Sequence, residues 1–198
     1  MDSITDSELH EIVQRVLKRT MGLVNKPTPQ PVLTPPVEAK PNLEIKSIAI
    51  GSDHGGFNLK ETVKVYLKEL GYSITDCGTQ DSKTPVDYPD FARSVAELVG
   101  GGKIWRGIVI DGAGIGSCMV ANKIPGVRAA MCYDYATAVN SREHNDANVL
   151  SLGAGLLGEN LVKQIVKTWL ETDFGGGRHK GRVDKIIALD KQFSKNGN

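Results

Sequence analysis

Residues 108–130 read IVIDGAGIGSCMVANKIPGVRAA, and this stretch decides the fold. The apolar run Ile108, Val109 and Ile110 ends in a carboxylate, Asp111, and the glycines Gly112, Gly114 and Gly116 follow before a helix-compatible segment. In open parallel sheets, small-molecule sites lie just beyond the carboxyl ends of the strands. A glycine loop at such an end offers backbone N–H groups to an anion, helped by the positive end of the next helix. A carboxylate beside that loop is suited to moving a proton next to a carbonyl. A dinucleotide fingerprint fits less well, because the spacing is GxGxG on the third apolar run rather than GxGxxG after the first. The plainest alternative is a tight strand-to-helix turn that needs positive φ.

Working outward, the short apolar runs SIAIGSD, YSITDCG, RGIVIDG, VRAAMCYD and NVLSLGA predict five strands. Amphipathic segments beginning near Phe57, Tyr88, Ile115, Tyr135 and Glu159 separate and follow them. Strands alternating with helices of this length predict an α/β fold: a doubly wound, Rossmann-like parallel sheet of five strands with helices on both faces. A last helix over about residues 180–195 is expected to pack against a partner subunit.

The first 45 residues differ in character. Leu9, Ile12, Val13, Val16 and Leu17 recur at helical spacing, which predicts an amphipathic helix within residues 1–25. Residues 26–45 read as an extended linker, since six of the nine prolines fall between positions 26 and 41. The remaining domain spans 46–198. Formal net charge is +1, so electrostatics argue for neither nucleic acid nor a membrane surface as partner. Cys77, Cys118 and Cys132 are too few and scattered for a disulfide framework or metal cage, which fits a reducing cytoplasm. No apolar stretch is long enough to span a bilayer, and the amino terminus lacks a signal-peptide core.

Beyond residues 108–130, four stretches carry a resemblance: GSDHGGF from Gly51, DYPDFA from Asp87, SREHNDANVLSLGA from Ser141 and GGRHKGRV from Gly176. Together they resemble the ribose-5-phosphate isomerase type B and galactose-6-phosphate isomerase family over roughly residues 46–192. The resemblance implies aldose–ketose isomerisation through an enediolate, without metal or other cofactor. It also implies a homodimer, or a homotetramer built from dimers, with sites shared between subunits. Asp111 is then the candidate base, provided that desolvation raises its pKa toward neutrality. Many relatives have cysteine at this position, and another branch carries an acid where this chain has Ser117. A hydrogen-bonded cap is the alternative for an aspartate here.

By the same resemblance, His144 with Asp53 opens the furanose ring, which suits an imidazole titrating near neutrality. His54 faces the phosphate, and Tyr88 and Asn145 line the pocket. Gly112, Gly114 and Gly116 form the oxyanion loop. Arg178, His179 and Arg182 grip the phosphate, because guanidinium forks match phosphate oxygens. Relatives often have a further arginine where this chain has Gly155, with Arg128 and Arg142 the nearest spare ones. Three readings follow: a ribose-5-phosphate isomerase; an isomerase of a six-carbon sugar phosphate such as galactose 6-phosphate or allulose 6-phosphate; or a catalytically silent sugar-phosphate-binding subunit. The amino-terminal helix and linker resemble the encapsulation peptides that direct enzymes into bacterial microcompartments, with a shell protein as partner.

Overall fold

The computed structural model describes residues 46–194, so the expectations for the amino-terminal helix and linker lie outside the described residues. The elements run β1 (Ser47–Ser52), α1 (Phe57–Glu69), β2 (Ser73–Asp76), α2 (Tyr88–Gly100), β3 (Arg106–Asp111), α3 (Ile115–Ala121), β4 (Ala129–Met131), α4 (Tyr135–Glu143), β5 (Val149–Gly153), α5 (Glu159–Glu171) and α6 (Gly177–Ser194). The five strands form one sheet in the order β2-β1-β3-β5-β4, and every pairing is parallel. The expected α/β architecture is therefore the one found. The last helix begins at Gly177, three residues before the expected start.

Alternation along the strands divides the core. Ile48, Ile50, Ile108, Ile110, Leu150 and Leu152 point to one face, where Leu59, Val63 and Leu67 of α1 and Val162, Ile165, Val166 and Trp169 of α5 cover them. Ala49, Val109 and Val149 point to the other, under Ala92, Val95, Ala96 and Val99 of α2. Buried on both faces, β3 and β5 show no polar alternation, as expected of central parallel strands.

Two buried cations tie elements to the sheet. Arg106 donates to the carbonyls of Trp169 (2.8 Å) and Leu170 (3.0 Å), satisfying acceptors that the end of α5 leaves unpaired. Burial pulls its pKa down to about 10. Lys60 of α1 is fully buried and reaches Asp76 Oδ2 at 2.8 Å and the Thr79 carbonyl at 2.8 Å. That contact anchors the start of the long loop from β2 to α2. Removing one partner of a buried pair strands the other charge. Here the loss is partial, because Lys60 also lies 3.1 Å from Glu61 and Asp76 also pairs with Lys64 at 2.6 Å. Asp76→Ala should cost about 1–3 kcal/mol in urea unfolding, and the joint change Lys60→Met/Asp76→Leu should recover most of it.

Candidate active site

Asp53 and His54 follow β1, and Asp111 closes β3, so these three stand at the carboxyl edge of adjacent central strands. Asp53 is 9% exposed, and its Oδ1 accepts from Gly56 N at 2.9 Å. The His54 Nδ1 lies 3.2 Å from the backbone of Val86, which holds the ring against the β2–α2 loop. Tyr88 opens α2 with its ring directly over Gly116: a Cβ there would lie 2.5 Å from the ring. Gly112 is exposed, and Gly114 takes φ 80°, a left-handed conformation that suits glycine.

The glycine loop wraps around Asp111. Its carboxylate accepts from Ala113 N (2.8 Å), from Gly114 N and from Ser117 N (2.9 Å). Burial pushes its pKa up and is the largest single influence. Hydrogen bonds from the Ser117 side chain and backbone, Gly114 and Ala113 outweigh it, leaving the pKa below the usual carboxylate range. The Asp111 pKa thus lies lower, where the expectation for a base asked for a raised one, and of the three glycines expected to serve a substrate oxyanion, Gly114 gives its N–H to Asp111. Cys118 is half-buried, with Sγ toward the Ala129 carbonyl, and its thiol pKa is raised by burial.

The remaining expected residues lie elsewhere. His144 caps the end of α4, and Asn145 follows in the turn leading into β5, so both stand at the amino edge of the sheet. The Gly175 N–H donates to the Glu143 carbonyl (2.9 Å), bringing the start of α6 to the same place. The His179 ring therefore stacks on His144, with centroids 4.0 Å apart and planes 6° from parallel. Neighbouring Arg178 and Arg182 lie one turn apart on α6, both exposed. Burial, then His144, Arg178 and Arg182, hold the His179 pKa below the usual imidazole range.

The twelve expected residues thus form two groups. Asp53, His54, Tyr88, Asp111, Gly112, Gly114 and Gly116 occupy one edge; His144, Asn145, Arg178, His179 and Arg182 occupy the other. Six strand residues separate the edges, a span of roughly 17–20 Å, so a single chain does not join His144 to Asp53. Neither spare arginine is free. Arg128 pairs with Asp146 Oδ2 and Arg142 with Asp146 Oδ1, each at 2.8 Å, and Arg142 also donates to the Ala147 carbonyl. Asp146 itself, at φ 48°, and Asn140, whose amide meets His144, were not singled out from the sequence. Gly155 donates to the Gly112 carbonyl at 2.9 Å, so the arginine missing there is missing beside the glycine loop. Among the described residues, no cluster of His, Cys, Asp or Glu could hold a metal ion, and no helix is long and apolar enough to cross a membrane.

The site thus sets acids, a tyrosine and a glycine loop at one edge of a parallel sheet, and histidines and arginines at the other. The chain belongs to the Ribose/Galactose Isomerase family, whose model matches residues 48–186. A solved ribose-5-phosphate isomerase B from Clostridium thermocellum is 51% identical, with a TM-score of 0.72 over 74% of this chain and 99% of that one. The ribose-5-phosphate isomerase B of Escherichia coli is 43% identical, covering 75% of this chain and 99% of its own. A D-erythrulose-4-phosphate isomerase of Pectobacterium atrosepticum is 42% identical, covering 74% and 96%.

The bonds around Asp111 make a pH-dependent prediction. A carboxyl whose pKa is depressed in the fold contributes stability that is full above the unfolded pKa and lost as pH falls through the folded one. Asp111→Asn should therefore cost about 1.5–3 kcal/mol at pH 7. The gap to the wild type should begin to narrow near pH 4 and close only as pH falls through the lower folded pKa, followed by denaturant unfolding at pH 7 and through the acid range.

Proposed function

We propose that this protein is a ribose-5-phosphate isomerase of type B, working through an enediolate in sites that each combine the two edges of two subunits. One observation carries the assembly. The acids and glycine loop lie a full strand length from the histidines and arginines, so a second copy is needed to complete a site. Ile115 and Met119, one turn apart on α3 beside the glycine loop, are 52% and 64% exposed and offer apolar surface to that copy. In this reading Arg178, His179 and Arg182 of one subunit hold the phosphate near His54 of the other, and His144 meets Asp53 across the interface.

Proton transfer falls to Asp53. Its carboxylate accepts one backbone hydrogen bond, whereas Asp111 accepts three and is best suited to remain a fixed anion that shapes the loop. The base takes the proton from C2 and returns it to C1, while the hydroxyl proton moves between the two oxygens. The absence of an arginine at Gly155 favours a second reading, in which a sugar phosphate of another length is preferred. We also propose that residues 1–45 serve placement, through a helix docking on a microcompartment shell.

Incubation of the purified protein with ribose 5-phosphate, galactose 6-phosphate and allulose 6-phosphate, without added metal, ranks the substrates. Turnover of none of them would support the silent-subunit reading. Asp53→Asn should lower kcat about 10²–10⁴-fold, and Arg182→Ala should raise KM more than it lowers kcat. After subunit exchange, and at substrate far below the KM of Arg182→Ala, mixing these two variants should restore about a quarter of wild-type activity, since statistically half the dimers then carry one intact site of two. No recovery on mixing would mean that sites are not shared. A truncation starting at Asn42 should keep full activity and lose co-localisation with shells.

A further inference from the structure

Asn140 lies one turn before His144 on α4, and residues four apart share a helix face. Its amide Nδ2 is 2.9 Å from His144 Nδ1. A ring nitrogen facing an N–H donor must present its lone pair, so the proton of a neutral imidazole sits on the other nitrogen. The stack on His179 fixes the plane of the ring, and the amide fixes which nitrogen points away. From the opposite side, Arg178 Nε lies 3.4 Å from His179 Nε2, so the second ring also turns a lone pair toward a donor. Of the charges around His179, Arg178 and Arg182 oppose a cation on that ring, and Glu143 favours one.

We infer that Asn140 is a positioning residue that holds His144 as the Nε2–H tautomer, so that His144 meets the substrate as a hydrogen-bond donor and not as a base. The inference rests on the isomerase reading above. During ring opening, Asp53 takes the proton from O1, the C1–O4 bond breaks, and its electron pair settles on O4 under the Nε2–H donor. The proton on Asp53 then passes to O4, and both side chains end as they began. A neutral imidazole is a competent electrophile in this role.

Nitrogen NMR of the full chain with ¹⁵N-labelled histidine reads the tautomer without reference to activity. The His144 Nδ1 should show the unprotonated, pyridine-type resonance and Nε2 the protonated one; a protonated Nδ1 in the wild type would overturn the inference. Asn140→Asp places a carboxylate opposite Nδ1, which demands a proton there and reverses the tautomer. Asn140 is exposed, so this variant keeps the fold, and the same spectra verify it. With ribose 5-phosphate, kcat should fall about tenfold or more with KM within about twofold, and the acid limb of the pH profile should move up. Asn140→Leu, with no preference imposed, should show both tautomers and an intermediate kcat. Wild-type kcat in a variant whose tautomer has reversed would dismiss the role. An inactive wild type with the expected tautomer would instead defeat the isomerase reading and leave the tautomer standing.

Discussion

All five strands point the same way, and that common polarity governs everything else in the molecule. A parallel sheet has two chemically different ends, and the loops at each end are supplied by different connections. Here the connections leaving β1 and β3 carry the carboxylates and the glycine loop, while those entering β5 and following α5 carry the imidazoles and guanidiniums. The core that holds the strands in register also keeps the two sets of side chains apart. Buried cations reinforce this frame at both ends: Lys60 at the carboxyl edge, Arg106 at the amino edge.

Within that frame, the glycine loop is organised by charge of its own. Three backbone N–H groups converge on Asp111, giving the loop an anion at its centre before any ligand arrives. Burial alone would have raised the pKa of that carboxyl, but converging dipoles reverse the outcome, a contest decided by hydrogen-bond count. Tyr88 lies over the opposite side of the loop, where Gly116 leaves room for its ring. The loop is thus shaped from within by a carboxylate and from without by an aromatic face.

Much of this was legible in the sequence. Continuous apolar runs ending in small or acidic residues marked the strands, because a central parallel strand has no solvent face to encode. The i, i+4 spacing of Arg178 and Arg182 placed both on one face of α6, as found. Other features depended on geometry that spacing does not carry. Whether Asp111 faces a pocket or folds back onto its own amides depends on the φ of Gly114. The partners of Arg128 and Arg142 depend on a left-handed turn at Asp146, a conformation that aspartate tolerates better than most residues. Asn140 carried no signal as a letter. It gains meaning only once α4 is known to end at His144.

The distance between the two edges also bears on how the protein responds to its own abundance. If a working centre needs surfaces from two chains, the isolated chain is a folded but idle species, and the active fraction follows an association equilibrium. Output per molecule then rises with local concentration, and dilution silences the protein without unfolding it. Confinement of many copies in a small volume would act on this equilibrium by mass action alone, turning an enzyme on simply by gathering it.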